Sequence, residues 1–288
     1  VTHASPATAR EPRAGAADLE AKEAALYSAL ADWPSLIVAY SGGVDSALLA
    51  YAATRVLGQR ALCVTADSPS YPERHRLIAV SVARQFGFNH IFINTSEMSR
   101  PEYRANPANR CYYCKHELYT QLSALARERR IATVADGSNA DDRGDYRPGR
   151  QAAREFGVRS PLDTANLTKE EIRELSRRAS LPTWDEPASA CLSSRIPYFS
   201  EVTPEKLRMI EAAEAALRHL GFKICRVRHH DEHARLELGA DEIARANEPA
   251  MTTRIVSALR QIGYAQVSID PRGYRLGSLN EALRLRPV

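Results

Sequence analysis

Along this chain the spacing of apolar residues switches repeatedly between the short continuous runs of buried strands and the three-and-four spacing of amphipathic helices. Ala16 to Ala31, rich in Ala, Leu and Glu, predicts an opening helix, and Ser35-Leu36-Ile37-Val38-Ala39-Tyr40 suits a buried strand that then runs into glycines. Ser46 to Leu57 has helical character, Ala61 to Thr65 predicts a second strand, and Glu73 to Phe86 mixes charged and apolar residues at helical spacing. His90 to Ile93 is the third expected strand. Lys115 to Arg130 aligns Leu118, Leu122, Leu125 and Ala126 on one helix face, and Ile131 to Ala135 follows as the fourth strand. Strand and helix in alternation imply right-handed crossovers and a parallel sheet covered on both faces, with ligands at the carboxyl ends of the strands.

Beyond the fourth strand, Thr168-Lys169-Glu170-Glu171 has the form of a capping box, so a helix is expected from there to about Arg178. Leu181 to Ser200 carries Pro182, Pro187 and Pro197 without periodicity, as a linker or a functional loop would. Thr203-Pro204 supplies a capping Thr and a Pro at the first helical position, opening a helix that reaches about Leu220. Strands at Ile224 to Arg228, Ala234 to Leu238 and Ala265 to Ile269, with a helix at Met251 to Ile262, complete a smaller unit. The expected architecture is α/β: an unstructured lead-in over residues 1–15, a parallel-sheet domain over 16–200 that includes the 181–200 loop, and a small α+β domain over 201–288.

Composition then limits what this fold can serve. A chain of 288 residues can bury a substantial core. Its apolar runs fall far short of the roughly 20 residues that span a bilayer, so no membrane role is expected, and Val1 to Ala17 lacks the apolar stretch of a secretion signal. The net charge of +4 is too slight and dispersed for a nucleic-acid groove. Five cysteines, an odd number, fit a reducing compartment in which thiols ligate metal or do chemistry, and the cytoplasm is the expected location.

The turn after the first strand is Ser41-Gly42-Gly43-Val44-Asp45-Ser46. Two glycines let backbone N–H groups converge on an anion at the positive end of the next helix, and Ser41 and Ser46 bring hydroxyls. Asp45 beside such a cradle suits magnesium. The turn lacks the lysine of the G-x-x-x-x-G-K-[ST] loop, which disfavours simple kinase chemistry. It resembles the PP-loop ATP pyrophosphatases, and that resemblance implies cleavage of ATP between the α and β phosphates. Thr65-Ala66-Asp67-Ser68 and Asp136-Gly137-Ser138-Asn139 stand where that family holds the nucleoside, with Asp67, Ser68 and Gly137 as the contacts; as sequence alone, each could also be a turn or a cap.

Cys111-Tyr112-Tyr113-Cys114 brings two thiols to one neighbourhood, and a third lies at Cys191. A redox pair would call for a thioredoxin-like context, zinc for a fourth ligand, and a 4Fe-4S cluster for three thiolates with one iron left open. Cys63 and Cys225 lie in or beside strands and fit buried packing.

Asn109-Arg110-Cys111-Tyr112-Tyr113-Cys114-Lys115, Asp136-Gly137-Ser138-Asn139-Ala140-Asp141-Asp142 and Pro187-Ala188-Ser189-Ala190-Cys191-Leu192-Ser193-Ser194-Arg195-Ile196-Pro197-Tyr198 together resemble the LarE family, from about Ala16 onward. The resemblance implies ATP-dependent adenylation of a carboxylate of pyridinium-3,5-dicarboxylic acid mononucleotide and its conversion to a thiocarboxylate for a nickel-pincer cofactor. It implies a catalytic set of Cys191, Ser194, Arg195 and Asp45, with ATP and Mg2+ as cofactors, a sulfide donor and the other proteins of that pathway as partners, and a homo-oligomer, with a hexamer as one form. In one branch of the family the cysteine matching Cys191 gives up its own sulfur; in the other three cysteines hold a 4Fe-4S cluster. Cys111 and Cys114 beside Cys191 align this chain with the cluster branch.

Arg195, Arg226 and Arg228 are candidates for the mononucleotide phosphate, since guanidinium forks suit phosphate; a solvated strand face is the plainer reading of the last two. Glu214 and Glu237 could hold metal or pair with those arginines. His229 and His230, adjacent on a strand, point to opposite faces and do not share one ion. Other readings are a tRNA-thiolating or amidating PP-loop enzyme, which should show a basic module or an ammonia source, and an ATP-binding redox sensor, against which Asp45 and the adenylation motif speak.

Overall fold

In the computed structural model, which describes residues 14–144, 148–187, 190–275 and 277–279, helix and strand alternate much as the periodicity predicts. The elements in order are α1 (Ala14–Ala31), β1 (Leu36–Ala39), α2 (Val44–Leu57), β2 (Ala61–Asp67), α3 (Glu73–Phe86), β3 (Asn89–Asn94), α4 (Pro101–Arg104), α5 (Arg110–Arg129), β4 (Thr133–Ala135), α6 (Gly149–Glu155), α7 (Pro161–Thr164), α8 (Lys169–Arg178), α9 (Pro204–His219), β5 (Cys225–His230), β6 (His233–Leu238), α10 (Ile243–Ala246), α11 (Pro249–Ile262) and β7 (Gln266–Ile269). Most of the expected lead-in, residues 1–13, lies outside the described residues.

Strands β3-β2-β1-β4 form one parallel sheet in that spatial order. Successive residues of β1 feed opposite faces: Leu36 and Val38 enter a core with α1, α2, α3 and α8, whereas Ile37 joins Leu62 and Val64 against α5 and α6. Both faces are therefore covered, and the strands read as unbroken apolar runs. Burying a Leu or Ile on such a face contributes about 1.5–3 kcal/mol. Cys63 sits fully inside the first core, where burial pushes its thiol up to about 12.

The chain adds β2 and β3 on one side of β1 and returns to place β4 on the other, so strand order reverses between β1 and β4. That reversal opens a crevice at the carboxyl ends of the two strands, the usual ligand position in such sheets. A smaller sheet, β5-β6-β7, packs with α9 and α11 around its own core of Leu217, Phe222, Val227, Leu236 and Leu259. Among the described residues no helix is long and apolar enough to cross a membrane.

Among the boundaries that differ from expectation, two are shifted by local packing and capping. Helix α5 begins at Arg110, not Lys115, so Cys111 and Cys114 ride on its first turns; Tyr and Cys are indifferent helix formers, and packing of Tyr113 and Cys114 against Tyr103, Leu192 and Ile196 supplies what propensity lacks. Strand β4 starts at Thr133, because the N–H groups of Arg130 and Ile131 both turn back to the Ala126 carbonyl to close α5.

Candidate functional site

The Gly42-Gly43 turn is shaped by its neighbours. Gly42 lies at φ +71°, and a Cβ there would meet the Ala79 Cβ of α3 at 3.0 Å, so both backbone freedom and space demand glycine. Gly43 caps α2, and the Gly43 carbonyl takes the first helical bond from the Ala47 N–H. The N–H groups of Val44, Asp45 and Ser46 thus lack intrahelical acceptors and face the crevice as an anion cradle. Ser46 is 5% exposed; its hydroxyl donates to the Gly43 carbonyl at 3.0 Å and accepts from the Ser41 N–H at 3.1 Å. Ser46 thereby braces the turn, and Ser41, which is exposed, presents the freer hydroxyl.

Gly137, after β4, comes so close to this helix start that a Cβ on it would lie 3.0 Å from the Ser46 nitrogen. The neighbouring Asp136 carboxylate is closed off: Tyr119, Ser138 and Ser160 hydroxyls and the Ser138 N–H all donate to it. Asp136 builds the loop, leaving Gly137 as the close backbone approach. Asn139 donates to Asp45 Oδ1 at 3.2 Å, and Lys169 Nζ pairs with Asp45 Oδ2. Both carboxylate oxygens of Asp45 are thus engaged within the protein.

Lys169 escaped the sequence reading, which saw only the capping box; that box forms as expected, with Thr168 and Glu171 reciprocally bonded. A signal was present, since a lysine in the first turn of a helix opposes the helix dipole and needs another reason to be there. Arg110, in the first turn of α5, carries the same signal.

On the other side of the turn, Asp67 pairs with Arg76 at 3.2 Å, and Ser68 bonds Ser70. The segment after β2 bridges to the cysteine loop: Tyr71 donates its hydroxyl to the Ser41 carbonyl, while the Ser70 carbonyl accepts the Leu192 N–H at 2.9 Å. One short stretch of chain thus ties the phosphate turn to the residue next to Cys191.

The segment before α5 clamps the same loop. Asn106 donates to the carbonyls of Ile196, Pro197 and Ser200, Arg110 reaches Asn106 Oδ1 and the Ser193 carbonyl, and Tyr103 bonds Ser193 at 2.7 Å. Cys191 is thereby drawn beside Cys111 and Cys114. Cys111 is exposed, and Cys114 and Cys191 are half-buried. Burial pushes Cys114 well above the ordinary thiol range, with the Glu97 carboxylate and Cys191 adding to it. Cys111 is exposed as a residue, yet its thiol is desolvated by the surrounding protein, which raises it, partly offset by the Arg110 guanidinium. Among the described residues no three His, Cys, Asp or Glu side chains converge tightly enough to hold a single metal ion.

The arginines resolve differently from expectation. Arg195 is 3% exposed; its fork grips Glu214 at 2.8 and 3.1 Å, and its remaining nitrogen donates to the carbonyls of Ala190 and Cys191 and to Ser194. Burial raises the Glu214 carboxyl, but Arg195, with help from Arg226 and the Val227 N–H, more than reverses this, so it stays below the ordinary range. Arg228 is committed to Glu237, Ser278 and the Ser194 carbonyl. In this structure Arg195 and Arg228 staple the Cys191 loop, with Glu214 and Glu237 as their counterions. Ser194 spends its hydroxyl on the Cys191 carbonyl. Arg226 is half-buried; it donates to the Cys225 carbonyl at 2.8 Å and its guanidinium lies 5.2 Å from the Tyr274 ring. His229 and His230 do face opposite ways: the first bonds Tyr264 in the small core and the second is exposed. Cys225 is buried there, its thiol raised to about 11.

A parallel sheet whose first strand ends in this glycine turn at the point of strand-order reversal, with a smaller C-terminal sheet, defines an α/β fold with a PP-loop domain. No protein-family model matches the chain, but individual relatives do. It is 35% identical over 93% of its length, and 96% of theirs, to the pyridinium-3,5-bisthiocarboxylic acid mononucleotide synthase of Lactiplantibacillus plantarum, and the chain belongs to that protein's family, the LarE family. It is 43% identical over 92% of its length to an uncharacterized protein of Synechocystis, covering 99% of it. A more distant likeness, 26% identity over 62% of this chain and 61% of the relative, is to a subunit of the glutamine-hydrolyzing GMP synthase of Methanopyrus kandleri.

Proposed function

We propose that this protein is an ATP-dependent sulfurtransferase that adenylates a carboxylate of pyridinium-3,5-dicarboxylic acid mononucleotide and replaces the activated oxygen with sulfur, toward a nickel-pincer cofactor. The observation that carries this reading is the tie between the phosphate turn and the cysteine loop through Ser70 and Tyr71, in a chain related throughout to a bisthiocarboxylic acid mononucleotide synthase. Activation and sulfur delivery are thereby built as one site.

In the first step a carboxylate oxygen attacks the α-phosphorus of ATP, the bond to the bridging oxygen of the β-phosphate breaks, and pyrophosphate leaves. The N–H groups at the start of α2 hold that leaving group, and Lys169 adds a cation where its charge develops. Magnesium is expected at Asp45 once phosphate has drawn Lys169 away. In the second step a sulfur nucleophile attacks the acyl carbon and AMP departs.

Cys111, Cys114 and Cys191 are the residues that would hold a 4Fe-4S cluster through their thiolates. The donor set fits: three thiols of one neighbourhood, two of them raised and therefore in need of a cation to ionise, with Arg110 offsetting part of the charge. When bound, the cluster supplies an open iron that can carry sulfide.

The test is incubation of anaerobically reconstituted protein with MgATP, the pyridinium dicarboxylate mononucleotide and sulfide. Pyrophosphate release with thiocarboxylate product is expected; no release from folded, loaded protein refutes the reading. Mass analysis of Cys191 separates the two sulfur routes, because dehydroalanine at 191 replaces the cluster with sacrifice of the cysteine itself.

A further inference from the structure

At the opposite end of the sheet from the phosphate turn, the last turn of α5, the 130–134 segment and residues 156–159 line a cavity of about 480 Å3. Arg127, Arg130 and Arg159 contribute to it together with Ile131, Val134 and Phe156, and no Asp or Glu does. The three apolar side chains belong to the partly buried margin of the second core face, so they are fixed in place.

None of these three guanidiniums has a hydrogen bond or ion pair to another described residue. All three are exposed, unlike the buried arginines of the Cys191 loop, where Arg195 has Glu214 and Arg228 has Glu237. The dipole of α5 accounts for a basic residue in its last turn, such as Arg127. It does not account for Arg159, which comes from a separate extended segment bonded to β4 through its N–H to Val134 and its carbonyl from Asp136. Arg130 follows the last helical residue, where the same dipole favours a cation, and it holds the left-handed conformation, φ +54°, at a position where glycine is usual. A side chain kept there against backbone preference points to a use for its charge.

We infer that this cavity is a second anion site, for a small molecule joining a planar, partly apolar ring to two or more negative charges, the chemistry of a nucleoside bisphosphate. Guanidinium forks suit phosphate oxygens, and Phe156 with Ile131 and Val134 gives a ring an apolar seat. The volume lies within the roughly 300–1,000 Å3 of small-molecule sites, and a cavity of that size favours such a ligand over a long polyanion. The inference is independent of the reading of the thiol site.

The test uses the full chain with MgATP at saturation, so that the phosphate turn is filled, and calorimetric titration with adenosine 3′,5′-bisphosphate beside inorganic phosphate and polyglutamate. One additional site is expected, roughly tenfold tighter for the bisphosphate than for phosphate. An Arg127→Ala, Arg159→Ala double variant should weaken it roughly tenfold or more while leaving the unfolding midpoint unchanged. Unchanged affinity in that variant, or no binding at submillimolar bisphosphate, overturns the site. Equal binding of inorganic phosphate overturns the ring-bearing ligand, and tighter binding of polyglutamate overturns it in favour of an acidic protein partner.

Discussion

Replacing Lys169 with Ala separates its proposed catalytic role from a structural one, because the two predict effects of different size on different observables. Its partner Asp45 is 24% exposed and Lys169 itself 34%, so the pair is partly solvated and contributes about 0–1 kcal/mol to stability. A cation about 4 Å from a phosphate oxygen is worth about 1 kcal/mol in water and about 4 kcal/mol at an effective dielectric near 20. Partial exposure sets the loss of transition-state stabilisation between those limits, at about 2–3 kcal/mol, or roughly 30- to 150-fold in rate. The assay is pyrophosphate release at saturating MgATP and substrate, with urea unfolding on the same samples. Lys169→Arg keeps the charge and should recover part of the rate. A Lys169→Ala enzyme within about twofold of wild type refutes the role, and so does a rate loss matched by a stability loss above about 2 kcal/mol.

The remaining predictions concern stability. Arg195→Ala strands Glu214 as a buried charge and should cost about 3–5 kcal/mol in urea unfolding, with most of it recovered by the double change Arg195→Met, Glu214→Leu; a loss below about 1 kcal/mol contradicts the pairing. His229 is 2% exposed, and burial, with Lys206 nearby, lowers it from 6.5 to about 4. Folding favours its neutral form, so this stabilisation is complete above about pH 6.5 and is lost as pH falls toward 4, by at most about 3 kcal/mol at about 1.36 kcal/mol per unit. His229→Gln should flatten the fall in the urea midpoint between pH 7 and 4.5, and an unchanged slope refutes the assignment.

The parallel sheet was legible because Leu36 to Ala39 and Ala61 to Thr65 are buried on both faces and so stand out as apolar runs, with Ser41 to Ser46 directly after the first of them. The crevice between β1 and β4 follows from strand order, which no local pattern encodes. The pairing of Arg195 with Glu214 stayed one of two readings for a related reason: the carboxylate lies on a different element, and a guanidinium bound to a buried carboxylate looks in sequence like one awaiting phosphate. Helices α4, α6, α7 and α10 are too short to show a period. Lys169 and Arg110 were the most recoverable misses, since a cation at a helix N-terminus is a local anomaly.

The loop that carries Cys191 is moored on two sides: Tyr103, Asn106 and Arg110, on and between α4 and α5, hold it from one, and Glu214 of α9 and Arg228 of β5 from the other. The small C-terminal sheet is thus the far abutment of an arch whose keystone is the sulfur-bearing residue. Cutting the chain after residue 200 takes away that abutment even where the larger sheet still folds and binds nucleotide. Neither half can be exchanged for a homologous half unless both ends of the arch still meet.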